Sequence, residues 1–146
     1  MREILFKAKR LDNGEWIEGA LLDGVEHCLI GQGIKFSPYT EDECKIVGYK
    51  VDRNTLCQFT GLTDKNGNKI WENDIVKEFN SDGEDWCLSK VIFENNDMYY
   101  GWMIENIKSL NLYKLNLFTD IVDSYNLKRC ESIGNIFDNA DLLGKE

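Results

Sequence analysis

The sequence predicts a mainly β, β-rich α+β protein. The expected architecture is an N-terminal β-hairpin region followed by a small antiparallel barrel, with one or two short helices near the C-terminus. Three observations carry this expectation. Asn13-Gly14 lies between two runs of alternating apolar residues, the pattern of a tight hairpin. The stretch Gln58 to Val76 is densely punctuated by turn-forming residues. Near the C-terminus the apolar residues Leu115, Phe118, Ile121, Val122 and Tyr125 change to helical spacing.

In chain order, Ile4–Leu11 and Glu15–Leu22 are the expected hairpin strands, joined by a type I′ turn at Asn13-Gly14. Ile4, Phe6 and Ala8 are placed on one face, with Trp16, Ala20 and Leu22 expected across from them. Residues 23–54 are broken by Gly24, Gly31, Gly33 and Pro38, the only proline. Short strands fit Cys28–Ile30, Ile34–Phe36 and Ile46–Val51, and the acidic run Glu41-Asp42-Glu43 reads as a solvated loop.

From residue 55 the pattern sharpens. A strand is expected over Thr55–Thr60, ended by Gly61-Leu62. A turn follows at Asp64-Lys65-Asn66-Gly67, then a short extended piece over Lys69–Trp71. Glu72-Asn73-Asp74 turns again into a strand at Ile75–Phe79. After an exposed loop at Ser81–Asp85, the strands Trp86–Phe93 and Met98–Ile104 complete a meander, which suggests a small barrel. A short amphipathic helix is predicted between Leu110 and Leu127, a strand over Glu131–Phe137, and a last turn capped by Asp138 and closed by Gly144. The chain therefore divides into 1–54, a hairpin and irregular β region, and 55–146, the barrel region with short helices. The two are also compatible with one continuous domain.

The run Gln58-Phe59-Thr60-Gly61-Leu62-Thr63-Asp64-Lys65-Asn66-Gly67, continuing through Ile70-Trp71-Glu72-Asn73-Asp74-Ile75-Val76, resembles the signature of the YopX-like family, small proteins of bacteriophages and prophages. The one departure is Asn73, where the family pattern has glycine. Asn tolerates left-handed backbone geometry, so the turn is expected to survive. Arg2, Phe6, Trp16 and Gly19 are similar to the family's opening, and Ile133–Asn139 with Leu142-Leu143 to its C-terminal box. The resemblance implies a mainly β fold with an SH3-like barrel portion and a phage or prophage origin. It implies no established activity, so it carries over no functional residue.

Composition narrows the function classes. The chain has 146 residues, 26 acidic against 17 basic, for a formal charge of −9. Such a surface repels phosphate backbones and anionic membranes, which argues against nucleic acid and membrane partners. A local basic patch, such as Lys7, Lys9 and Arg10, is still compatible with that charge. No apolar run approaches the ~20 residues needed to span a bilayer. Five widely spaced cysteines without a CxxC pair, and an N-terminus lacking a signal-peptide apolar region, fit free thiols in a reducing cytoplasm.

No catalytic set emerges. His27 is the sole histidine, too few for a zinc cluster, and His27-Cys28 reads as a buried or half-buried neighbour pair. Asp64–Asn68 begins like a calcium loop, but Lys69 and Ile75 stand where glycine and glutamate are required. Neither a nucleophile elbow nor a phosphate loop is present. No catalytic, cofactor or metal residue is therefore assigned, and the chain is not read as an enzyme.

Gly61, Gly67, Asp64, Asn66 and Asp74 all have backbone reasons for their places. Three residues are left as candidate partner contacts. Trp71 is the motif residue that backbone geometry does not explain. Tyr99 and Met103 lie on the second apolar face of the Met98–Ile104 strand, and such residues are enriched at interface centres. The functional expectation is a non-enzymatic homo-oligomer acting by contact with a host or phage protein. The alternative is a nucleic-acid-related role, by direct binding or by acidic mimicry of DNA.

Overall fold

The structure, a computed structural model, describes residues 3–40, 43–98, 100–109, 119–121 and 129–144. It is mainly β: two antiparallel sheets, with no α-helix and two 3-10 turns among the described residues. The chain falls into two compact units, Met1–Phe59 and Thr60–Glu146.

The first unit contains β1 (Phe6–Lys9), β2 (Trp16–Asp23), β3 (Cys28–Phe36), β4 (Cys44–Lys50), a 3-10 turn at Arg53–Thr55, and the start of β5 (Cys57–Thr63). The strands lie in the order β4-β3-β2-β1-β5. Alternation drives this arrangement. Ala8, Ile17, Cys28, Ile30 and Val51 are buried together, with Phe6, Leu21 and Leu56 packed against them, while intervening residues such as Glu18 and Ala20 are exposed.

The hairpin is present but its turn differs from the expected type. Only Gly14 has positive φ, at 73°, whereas type I′ needs two such residues. Arg10 N–H donates to the Glu15 carbonyl at 2.9 Å, closing a longer loop over Leu11–Gly14. The resulting register sets Ala8 against Ile17 and Phe6 against Gly19. Ile17 and Leu21, rather than Trp16, Ala20 and Leu22, thus share the face of Ala8. Trp16 lies opposite Lys9, where the Lys7 and Lys9 ammonium groups stand 5.0 and 5.5 Å from its ring.

The segment expected to be irregular is largely one long ribbon. The two short strands at Cys28–Ile30 and Ile34–Phe36 are one strand, β3, with a bulge between Gly31 and Gly33 that absorbs the glycines without ending the ladder. Cys28 is buried, but His27 is exposed, with Lys50 Nζ 3.4 Å from its Nε2.

The second unit contains the end of β5, β6 (Lys69–Trp71), β7 (Asp74–Phe79), β8 (Asp85–Asn95), β9 (Tyr100–Ser109), β10 (Thr119–Ile121) and β11 (Cys130–Asn135). Gly61 does not end β5. It takes φ 85° and the strand continues to Thr63. Five strands lie in the order β10-β9-β8-β7-β11, an open sheet. The SH3-like barrel expected from residue 55 onward is not closed among the described residues: β5 and β6 follow β1 in the other sheet's order, and β10 and β11 stand at opposite ends of this one.

The core of this unit joins Ile70, Val76, Val91, Trp102, Ile104 and Cys130, with Leu62 against it. Each fully buried Ile or Val here contributes roughly 1.5–3 kcal/mol. The helix expected over 110–127 falls mostly outside the described residues. The three described within it, Thr119–Ile121, form β10, paired with β9 through Ile121 opposite Met103. The final turn is a 3-10 turn over Ala140–Leu143. Its cap is Asn139 rather than Asp138, and it closes on Gly144 in the left-handed region.

Candidate functional site

The punctuated stretch builds a buried polar hub in the second unit, centred on Asp64. Gly67, at φ 83°, lets the chain reverse within Asp64–Asn68. The reversal aims the amides of Asn66 and Asn68 at one carboxylate oxygen, Asp64 Oδ1, each at 2.9 Å. The other oxygen, Oδ2, accepts from Ser132 N–H at 3.0 Å and from Asn68 Nδ2 at 3.3 Å. Asp64 is itself buried. Burial alone pushes its carboxyl upward, but the hydrogen bonds from Ser132, Asn68 and Asn66 outweigh that and hold it below the ordinary carboxylate value.

Asp74 is the second buried carboxylate. Its Oδ2 accepts from Trp71 N–H at 2.9 Å, which holds the Glu72-Asn73 reversal, and from Ser132 Oγ at 3.3 Å. Ser132 thus bonds to both acids. Asn73 takes φ 66°, the one non-glycine residue with positive φ among those described, in the place where the family pattern has glycine. Its amide donates to the Val91 carbonyl at 2.9 Å, and its carbonyl accepts from Ile136 N–H at 3.1 Å. Thr60 Oγ1 donates to the Ile70 carbonyl at 2.7 Å and accepts from Leu62 N–H.

The C-terminal box closes the same region. Asn135 Oδ1 accepts from the amides of Phe137 and Asp138, both at 3.0 Å. Asn139 Oδ1 in turn accepts from Asn135 N–H at 3.1 Å. Gly134 is required by close approach, since a Cβ there would run into the Asn139 side chain.

A third polar group lies along β11, β7 and β8. Cys130, Glu78 and Cys87 stand directly opposite one another across the three strands. Glu78 Oε2 accepts from Cys87 Sγ at 2.7 Å and from Ser89 Oγ. Burial, then the Glu78 carboxylate, pushes the Cys87 thiol up to about 12. Burial, with Glu78 and Asp64 adding to it, does the same for Cys130. Both thiols are therefore protonated at neutral pH and poor nucleophiles. Among the described residues no group of three or more His, Cys, Asp or Glu is arranged to hold a metal ion.

These features mark a family. The YopX protein family profile matches residues 5–144. The chain belongs to the YopX protein family. Among solved structures it is similar to the crystal structure of protein EF1440 from Enterococcus faecalis, at 22% identity and a TM-score of 0.65, over 99% of this chain and 100% of that one. That likeness concerns the fold. No functionally curated protein matches.

Two of the three partner-contact candidates, Trp71 and Met103, are buried within the chain. Trp71 is only 4% exposed and Met103 only 5%, so their contacts are internal to the chain. Tyr99 lies outside the described residues. Met103 belongs to a strand flanked by β8 and β10 in the sheet, opposite Ile92 and Ile121.

The exposed apolar side chains of this YopX-family chain are elsewhere. Phe93, Met98 and Tyr100 line the tip of the β8–β9 hairpin, with Phe93 edge-on to Tyr100 at 5.2 Å and to Trp102 at 5.0 Å. Ile34, Phe36, Tyr39 and Ile46 stand out on the β3–β4 hairpin. Sequence reasoning passed over this second group because Gly31, Gly33 and Pro38 disguised the ribbon. The available signal was the repeat of apolar and lysine residues in Ile34-Lys35-Phe36 and Lys45-Ile46.

Proposed function

We propose that this is a non-enzymatic protein of phage or prophage origin that acts in the host cytoplasm by protein–protein contact and self-association. One observation carries the reading: the polar residues of the family motif make internal bonds, while large apolar side chains stand exposed on two hairpins. Exposed apolar groups gathered in one place are the mark of contact surfaces. The perturbed groups have structural causes. The Asp64 carboxylate serves backbone amides, and the thiols of Cys87 and Cys130 are raised by burial.

The net charge of −9 favours a second reading, in which the chain occupies a basic groove of a host protein in place of DNA. Affinity capture with the tagged chain in bacterial lysate, at low and high salt, separates the two. Contact through apolar hairpins predicts a partner, or the chain itself, retained at high salt. Mimicry predicts a basic protein released by salt. A chain that stays monomeric and retains no protein at either salt concentration overturns both readings.

A further inference from the structure

The distal part of the β3–β4 hairpin, Gly33–Phe36 with Cys44–Ile46, is exposed on both faces. The register sets Ile34 against Ile46 and Phe36 against Cys44. Residues directly opposite share a face, so these four side chains form one apolar face. Lys35 lies opposite Lys45 on the reverse face. Exposure is 59% at Ile34, 72% at Phe36 and 55% at Ile46. A two-stranded ribbon of this kind is marginal in water without a cover.

Charge points to the occupant. Segment 33–50 carries Lys35, Lys45 and Lys50 against Glu41, Asp42 and Glu43. It is neutral within a chain of −9, so two copies meet here without the repulsion they meet elsewhere. The acids precede β4 and Lys50 ends it. Antiparallel packing brings the Glu43 end of one copy toward the Lys50 end of the other, whereas parallel packing would stack like on like.

The area suffices as well. With aromatic side chains worth ~150–250 Å² each, the exposed parts of Ile34, Phe36 and Ile46, together with Tyr39 of the connecting loop, come to on the order of 500 Å² per copy. Two copies bury about 1,000 Å², the lower bound for a specific interface.

We propose that a second copy of this chain packs its own β3–β4 hairpin face to face on this apolar face, with β4 of one copy running antiparallel to β4 of the other. The proposal rests on the self-association reading above and gives it a surface and an orientation.

The test is the mass of the intact chain by size exclusion with light scattering, for wild type, Phe36→Glu and Ile46→Lys. Both substituted side chains are exposed in the single chain, so the circular dichroism of the folded variants should match wild type. A dimeric wild type and monomeric variants are expected. Alkylation of Cys44, which is exposed in the single chain, should be slow in the dimer and fast in both variants. A dimer that survives both substitutions overturns this surface and leaves self-association standing. A wild type that is monomeric at all concentrations overturns both. Protection of Cys44 that appears in a monomeric wild type only on adding bacterial lysate assigns the surface to a different protein and overturns the second-copy assignment.

Discussion

Replacing Asp64 by Asn preserves shape and removes the charge. The amide oxygen can still accept from Asn66 and Asn68, but neutral bonds are about half as strong as charge-assisted ones. Both turn residues are exposed, so water compensates part of that loss. The larger cost comes at Ser132, whose half-buried N–H donates to Oδ2 at 3.0 Å and would face an NH₂ group instead. An unsatisfied buried donor costs about 1–3 kcal/mol. The sum is about 2–4 kcal/mol. For a unit the size of Thr60–Glu146, that lowers Tm by roughly 10–25 °C.

The pH dependence has a definite sign. The Asp64 carboxyl is held below its ordinary value of 3.8 in the folded chain. Its contribution is complete above that value and is lost as pH falls through the depressed one. Urea denaturation followed by tryptophan fluorescence reads this directly, since Trp71, Trp86 and Trp102 all lie in the second unit. The gap between wild type and Asp64→Asn should be full at pH 7 and shrink below pH 3.8. A gap at pH 7 smaller than about 0.5 kcal/mol, the size of an ordinary surface substitution, refutes the hub. So does a gap that stays constant as the medium is acidified.

Two further outcomes follow from the same unit. Asn73→Gly should lie within about 0.5 kcal/mol of wild type, whereas Asn73→Val, forced to φ 66°, should lose about 1–2 kcal/mol in the same denaturation assay; equal stability of the two would contradict the turn geometry. In dilute native protein at pH 8, a disulfide thiol reagent should label Cys44 rapidly and leave Cys87 and Cys130, both raised to about 12, unlabelled until urea is added; fast labelling of either buried thiol would show that β8 or β11 opens.

Much of the fold was legible because its punctuation is local. The reversals at Asp64–Gly67 and Glu72–Asp74 announce themselves through residues that bond to their own neighbours, and the left-handed geometry at Asn73 was expected from the glycine that the resembling family pattern has there. What was lost is set at a distance. Ser132 has nothing in its own neighbourhood to show that it bonds to both Asp64 and Asp74. The allotment of β5 and β6 to the other sheet, which leaves the expected barrel open, depends on pairing that no local period encodes. Whether Trp71 is an exposed anchor or a buried side chain was open in the sequence, because nothing near it in the chain reveals that it is buried. The turn between β1 and β2 was misjudged for a subtler reason: Asn-Gly fits both a two-residue and a longer loop, and side-chain faces follow the register chosen.

The bonds from Ser132 to Asp64 and Asp74 span 68 and 58 residues of chain. During synthesis the two acids leave the ribosome long before the serine that joins them. Until β11 arrives, each carboxylate keeps water in place of its last donor, and β7 keeps an open edge. The second unit is therefore completed from its C-terminal end, and the family motif, though central in sequence, is among the last parts of the molecule to reach its final form.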